Sequence, residues 1–372
     1  MKKLFCSIII LLSIISCATN KMGNVDTSSR TVTTVKIPNL DGYLTLKCDF
    51  HMHTVFSDGS VLPVVRVYEA YREGLDVISI TDHIERRSSH RYASSSQNRP
   101  YEEALTSARA DSVIIIRGGE ITRPMPPGHF NAIFLTDVDQ LVRQDYMDVF
   151  RAAKEQNAFI FWNHPGWESQ QPNVTLWLPE HTLLLEQGMM HGIEVVNENE
   201  YYPEAHQWCL DKNLTMIGNS DIHSEMPVFR PGEHRTMTLV FARERTAQSI
   251  YEALMERRTA VYFKEFIIGE ERYLKELFEK SVDISITKTG NNARITLKNN
   301  SDLIFHLIKD DHDPRLTYFR HVNIIPYTIR PQSTQSFTVR LNDGIQSGDV
   351  NIIVKNFLTQ PNTGMKYTIK IN

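Results

Sequence analysis

Leu46-Lys47-Cys48-Asp49-Phe50-His51-Met52-His53-Thr54-Val55-Phe56-Ser57-Asp58-Gly59 is the stretch that decides how the rest of the chain reads. Leu46 to His53 has the apolar content and length of a β-strand. Residues two apart on a strand face the same side, so His51 and His53 can hold one cation together. Asp58 follows in the loop just past the strand end. A strand whose tip carries ligand-type residues is the unit to look for elsewhere.

It recurs. Thr81-Asp82-His83 follows the strand Asp76–Ile80, and Glu120 ends the strand Val113–Glu120. His129 lies in the next loop, before Phe130–Leu135. Asn163-His164-Pro165-Gly166 follows Ala158–Trp162, and Asn219-Ser220-Asp221-Ile222-His223 follows Thr215–Ile217. Ile193–Val196 and Thr238–Phe241 read as further strands. Helices are expected at Val64–Glu73, which opens after Pro63 and closes at Gly74, at Leu141–Gln156 and at Pro203–Lys212. Alternation of this kind over about 220 residues implies an α/β fold with a parallel sheet and helices outside, closed as a barrel. A lone His at a strand end is more often a satisfied polar group than a ligand. Shared placement changes that reading, because strand tips around a barrel converge on one mouth. Other histidines, His181, His206 and His306 among them, lack the placement and read as structural.

The flanks are different in kind. Lys2 and Lys3 precede a short apolar run, Leu4 to Ile15, too short to span a bilayer comfortably. Ile14-Ile15-Ser16-Cys17 resembles a bacterial lipobox, so residues 1–17 read as a lipoprotein signal with Cys17 acylated; a plain secretory signal is the alternative. The mature chain would be exported across the inner membrane and anchored in the cell envelope, periplasm or outer membrane, by lipid alone. Residues 18–43 read as a flexible tether. After a core domain at 44–268, Glu270–Lys280 reads as an amphipathic linker helix (269–281). Val282–Ile286, Ala293–Leu297, Leu303–Ile308, Phe337–Leu341, Val350–Val354 and Tyr367–Ile371 then read as a small C-terminal all-β sandwich, 282–372.

The bulk numbers exclude some partners. In 372 residues with 41% hydrophobic and 23% charged content, the net charge is −4. No basic field exists of the sort a long nucleic acid needs. No obligate protein partner is evident. Cys48 and Cys209 read as small buried thiols, a disulfide between them being possible.

H-x-H-T-x-x-S-D-G, T-D-H, a lone Glu, N-H-P-G and a late D-x-H together resemble the polymerase-and-histidinol-phosphatase (PHP) superfamily over about residues 46 to 262. The resemblance implies a distorted (β/α)7 TIM-like barrel with a two- or three-metal site that hydrolyses phosphate esters. One metal would take His51, His53, Glu120 and Asp221. A second would share Glu120 and add His129 and His164, and a third would take Asp58, His83 and His223. The leader and the β domain make the chain similar to secreted bacterial PHP phosphodiesterases, acting on a small phosphate ester.

Three divalent ions set against Asp58, Glu120, Asp221 and a bridging hydroxide would leave about two net positive charges, which suits an anionic ester. The expected step is attack of that metal-bridging hydroxide, beside Asp221 and His223, on phosphorus. Six His ligands favour two or three ions of Mn, Zn or Fe over an all-oxygen Mg or Ca site. Asp49 and Asp82, each beside a ligand, are expected to orient imidazoles. Arg123, Arg230, His234 and the basic run Arg86–Arg91 are substrate-binding candidates, and Trp162, Trp167 and Trp177 could stack on an ester group. Two rivals stand beside this reading. One is a metal-dependent amidohydrolase cleaving a C–N bond, although no Lys occupies the strand-end place where a carboxylated Lys would sit. The other is a non-catalytic surface binding protein.

Overall fold

The computed structural model describes residues 34–86, 96–310, 313–318 and 327–372, all within one unit, Val32–Asn372. It opens with β1 (Leu44–Asp49), α1 (Pro63–Arg72), β2 (Val77–Ile80), α2 (Arg99–Ala110), β3 (Ile114–Thr122) and β4 (His129–Ile133). Next come α3 (Tyr146–Glu155), β5 (Phe159–Trp162), α4 (Pro179–Glu186), β6 (Gly192–Asn197), β7 (Glu200–Tyr201) and α5 (Pro203–Lys212). β8 (Thr215–Asn219), β9 (Met237–Ala242), α6 (Ala247–Met255), β10 (Thr259–Phe263), β11 (Phe266–Gly269) and α7 (Glu271–Ser281) complete the α/β part.

Strands β2, β5, β6 and β8 are buried along their whole length, as expected for a sheet covered on both faces. α1 begins at Pro63, whose missing N–H costs nothing at that position, and Gly74 follows its end at φ +66°. The sheet is mixed, not parallel as expected. β1–β2, β2–β3, β5–β6 and β6–β8 are parallel, but β4 runs antiparallel to β3 and β5, and β9 antiparallel to β1. The link between β3 and β4 explains the first reversal. Residues 123–128 are too few for the crossover that a parallel neighbour requires, so the chain returns as a hairpin.

Nor, among the described residues, does a continuous ladder close a barrel. The hydrogen-bonded order runs β9-β1-β2-β3-β4-β5-β6, with β8 on β6. β8 meets β9 through the Thr238 hydroxyl, which bridges the N–H and C=O of Gly218 at 2.9 Å each. Beyond β8, Ile222 bridges Met52, the His53 N–H donates to Ile222 O (3.0 Å), and the Asp221 N–H donates to His51 O (2.9 Å). The sheet thus curls back on itself and is joined at the end where β1 delivers His51 and His53.

β12 (Val282–Thr289), β13 (Asn292–Asn299), β14 (Phe305–Lys309), β15 (Leu316–Tyr318), β16 (Tyr327–Ile329), β17 (Thr334–Leu341), β18 (Gly348–Gln360) and β19 (Thr363–Ile371) form the C-terminal β part. Alternate residues are buried along β13, the period-two pattern of a sandwich face. One sheet is β12-β13-β17-β15. The other, β16-β14-β18 with β19, is continuous with the α/β sheet, because β11 pairs parallel with β18 at Ile267–Phe357 and Ile268–Leu358. α7 buries Tyr273, Leu274, Leu277 and Phe278 at this junction. Phe278 packs edge-on against Phe305 and Tyr367, with ring centroids 5.2 and 4.9 Å away.

Two expectations are corrected here. The segment read as tether is docked from residue 34 onward: Val35 and Leu40 are buried, and the Lys36 carbonyl accepts from the Asp302 N–H at 2.9 Å. The helix expected at Leu141–Gln156 begins later, at Tyr146, because Asp145 caps it by accepting from the Met147 and Asp148 N–H groups. Among the described residues no helix is long and apolar enough to cross a membrane. Cys17 and the leader lie outside the described residues.

Candidate metal centre

All nine residues singled out on strand tips meet around one cavity of about 460 Å3. Backbone geometry explains how they are aimed. After β1 the chain turns through Thr54–Gly59, where Gly59 lies so close that an added Cβ would stand 2.6 Å from the backbone of His53 and Thr54. Only glycine permits that approach, and it folds Asp58 back toward His53. His164 and Asp221 have left-handed backbones, φ +29° and +49°, which non-glycine residues adopt at a cost of roughly 1–3 kcal/mol each. The bends turn both side chains toward the sheet mouth.

Glu120 and Asp221 stand at the centre. His51 Nε2 and His53 Nε2 lie 3.1 and 3.0 Å from Asp221 Oδ1, and 3.7 and 3.6 Å from the Glu120 carboxylate. His129 Nδ1 is 3.0 Å and His164 Nε2 3.7 Å from Glu120 Oε1. Asp58 takes His83 Nε2 at 3.2 Å and His223 Nε2 at 3.3 Å. Four groups of donor atoms, each mutually within 4.8 Å, result: His53-Asp58-His83-His223, His51-His53-Glu120, His51-His164-Asp221 and Glu120-His129-His164.

The chemistry of this set fits cations. His51 Nε2 and His53 Nε2 are only 3.2 Å apart, beside carboxylate oxygens. Glu120 Oε2 and Asp221 Oδ1 are buried against imidazole nitrogens, with no hydrogen-bond donor aligned on either. Imidazole nitrogens and carboxylate oxygens that converge without aligned hydrogen bonds suit shared ions better than a proton network.

Without ions, opposing forces act on the imidazoles. Burial opposes charge on all of them. At His53 and His129 burial wins and the pKa falls. At His83 it is outweighed by Glu120 and Asp58, which pull the ring up to about 10. His51, His164 and His223 are also raised, by Asp221 and Glu194, by Glu120, and by Asp58 respectively, against burial. Burial would lift Asp58, but His223 and His83 hold it well below the usual carboxylate range.

The group that orients His51 was not expected. Glu194, within β6, accepts from His51 Nδ1 at 2.9 Å, from the His164 N–H at 2.8 Å, and from the Asn219 and Asn197 amides at 2.9 and 2.8 Å. Its signal in the sequence was a charge inside the apolar run Ile193–Val196. Asp82 acts one step removed: it accepts from Ser57 Oγ at 2.6 Å, and that oxygen is 3.3 Å from His53 Nδ1. Asp49 is a correction. It bonds the Ser220 hydroxyl (2.6 Å) and the Arg235 guanidinium (2.9 Å), which also pairs with Glu73, and reaches His51 only at its backbone N–H. Arg66 is a second unexpected residue. Fully buried, it donates to the carbonyls of His53 (2.9 Å), Ile222 (3.1 Å) and Ser224 (2.8 Å) and pairs with Glu69 at 2.8 Å.

Of the substrate-binding candidates, Arg86 lines the cavity, 3.5 Å from Asp58, whereas 87–91 lie outside the described residues. Arg123 does not line it: its guanidinium is held by Glu85 and by the carbonyls of Gln144 and Arg143. His234 stacks on Tyr262 and contacts the carbonyls of Arg235 and Lys264, beside a different small pocket. Arg230 is exposed and also off the cavity. Trp162 is core and Trp177 packs on it, while Trp167 is 40% exposed in the cavity wall. Cys48 and Cys209 are free and buried in separate clusters. A larger cavity of about 610 Å3, between α5 and Gln360, contains no histidine.

A two-domain protein from Bacteroides vulgatus, solved by crystallography and described as containing a predicted PHP-like metal-dependent phosphoesterase, is similar to this chain at 52% identity. The match covers 91% of this chain and 98% of that one, with a TM-score of 0.87. A candidate metal-dependent phosphoesterase from Bifidobacterium adolescentis matches at 18% identity and TM-score 0.38, covering 52% of this chain and 93% of that one. An amidohydrolase from Chromobacterium violaceum matches at 14% and 0.37, covering 48% and 87%. Residues 279–370 match the family DUF5001, an Ig-like domain. No curated protein matches.

Proposed function

The chain belongs to the PHP-like metal-dependent phosphoesterase family, and we propose that it hydrolyses phosphate esters, diesters foremost, at a site of two or three divalent cations. The observation that carries this reading is the convergence of nine donors, four overlapping groups within 4.8 Å, beneath one cavity. His51, His53, Glu120 and Asp221 would hold one ion, Glu120, His129 and His164 a second, and Asp58, His83 and His223 a third. Six imidazoles favour Mn, Zn or Fe. When bound, the ions would supply the Lewis acidity that activates water and offsets charge on the phosphoryl group.

The chain's own residues do the rest. Glu120 sits among five imidazoles and is the acceptor common to two donor groups, so it sets their spacing. Asp221 and His223 lie over the same mouth and orient the attacking water. Arg86, beside Asp58, meets non-bridging phosphoryl oxygens. Glu194 and the Asp82–Ser57 pair hold His51 and His53 in the tautomer and orientation that present Nε2 to the centre.

In our reading Cys17 carries a lipid that anchors the exported chain in the envelope. Labelling by a palmitate analogue in cells, lost in Cys17→Ser, supports that; equal labelling of the two contradicts it. The activity is tested by chelating the purified protein, restoring Mn, Zn or Fe, and following bis(4-nitrophenyl) phosphate and 4-nitrophenyl phosphate. Metal-dependent release, faster from the diester, is expected. Failure on both esters with ions fully bound would sink the proposal.

A further inference from the structure

The cavity that holds the donors has a second, chemically distinct half. Seven of the nine donors line it (all but His51 and His53), and Glu120 in its floor is fully buried, its Oε2 beside the His83 and His53 rings with no hydrogen-bond donor aligned on it, so the cavity is built to hold something. Among the described residues, the cationic side chain in the lining besides the imidazoles is Arg86, placed at the Asp58 end. The rest of the lining is an aromatic and acceptor surface. Trp167 sits beside the other donors, its ring centroid 5.2 Å from His164 and 5.8 Å from His129, with 40% of the residue exposed. Tyr202 packs against the neighbouring backbone so closely that a Cβ on Gly166 would stand 2.7 Å from its ring. The Tyr202 hydroxyl donates to Glu200 at 2.9 Å, which fixes that carboxylate. Glu198 is fixed through its backbone: its N–H donates to Asn219 O at 3.0 Å and its carbonyl accepts from Thr236 at 2.5 Å.

Resting on the phosphoesterase reading above, we propose that one ester group of the substrate is a sugar or a related cyclic polyol. The apolar C–H face of such a ring stacks on the exposed indole of Trp167, and its hydroxyls donate to Glu198, Glu200 and Asn199. The two carboxylates disfavour a second phosphate in this half of the cavity, which argues against nucleoside polyphosphates and nucleic-acid strands. A purely aromatic group would cover Trp167 but strip water from carboxylates to which it offers no donor, an unfavourable exchange.

The test uses the metal-loaded full-length protein and three diesters of 4-nitrophenyl phosphate, whose second ester is glucose O6, methyl or benzyl. We expect kcat/KM for the glucosyl diester to exceed that for the methyl diester about tenfold or more, with benzyl below glucosyl. Trp167→Ala and Glu200→Gln should each bring the glucosyl-to-methyl ratio toward one, with melting temperature checked to confirm folding. A wild-type ratio near one, a benzyl diester ahead of the glucosyl diester, or a ratio unmoved by either substitution overturns the proposal while leaving the phosphoesterase intact. Cleavage of 4-nitrophenyl phosphate but of none of the three overturns this inference alone, whereas failure on that monoester as well removes the phosphoesterase reading with it.

Discussion

Glu194 shows how much a single side chain decides. Its two oxygens serve four donors, among them the His51 ring and the His164 backbone, so it fixes one proposed ligand's tautomer and another's loop. Glu194→Gln keeps the shape but replaces an acceptor facing His51 or His164 with a donor. Divalent-metal affinity should fall about 10- to 100-fold with little change in circular dichroism; a calorimetric titration matching wild type would refute the role. His51→Ala removes a proposed ligand itself and should abolish metal-dependent turnover in a folded protein. Full activity in that variant would contradict the assignment. The strand-tip residues were legible in the sequence because each follows a short apolar run, and their convergence follows from sheet topology alone. Glu194 was not assigned, since a charge within Ile193–Val196 signals a buried partner without saying which one. Arg123 and His234 misled for the converse reason: their nearness to motifs in sequence said nothing about Glu85 or Tyr262, which occupy them.

At the scale of elements, α1 clamps the two ends of the site. Arg66 and Glu69 lie on its buried face, and Arg66 donates to carbonyls in both the segment after β1 and the one after β8. Glu69 in turn accepts from the Met226 N–H at 2.7 Å. Arg66→Met takes a donor from three carbonyls, of which Ile222 keeps the His53 N–H, and leaves Glu69 without its countercharge, which should cost on the order of 3–5 kcal/mol of stability. Weaker metal binding should accompany the lower melting temperature, with partial recovery in Arg66→Lys. A folded Arg66→Met protein that binds metal like wild type would show that the clamp is structural only. The helix was readable from Pro63 and Gly74, but apolar periodicity assigns an arginine to solvent, so the clamp was hidden. β4's reversal was open to inference, as six residues cannot make a crossover.

For the whole molecule, the β11–β18 pairing makes one sheet of what the sequence presented as two independent parts. The sandwich was recognisable from period-two alternation, whereas its fusion to the α/β sheet depends on pairing between strands about 90 residues apart, which local pattern does not encode. Removing 282–372 would uncover Leu274, Leu277 and Phe278 on α7 and the edge of β11. The truncated protein should aggregate or melt well below the full chain; equal melting temperatures would contradict the fused architecture. Stability of the chelated protein should also depend on pH. Burial pushes His181, His191 and His206 down to about 4. They are neutral in the folded chain but gain protons near pH 6.5 when unfolded, so their contribution is intact above that value and is lost as pH falls toward 4. His83 acts oppositely: held up to about 10, it contributes fully below pH 6.5 and loses that contribution as pH rises through 10. The chelated protein should therefore melt highest near pH 6.5 and lower on either side, and a flat profile would contradict these shifts.

The central claim is that nine distant side chains form one shared-ion centre. Anomalous diffraction from crystals grown with Mn, recorded above and below its absorption edge, tests it directly. The account predicts two or three Mn peaks within coordination distance of Glu120, Asp221 and Asp58, with Glu120 bridging at least one pair. Peaks found only outside this cavity, or none within it at saturating Mn, would contradict the account.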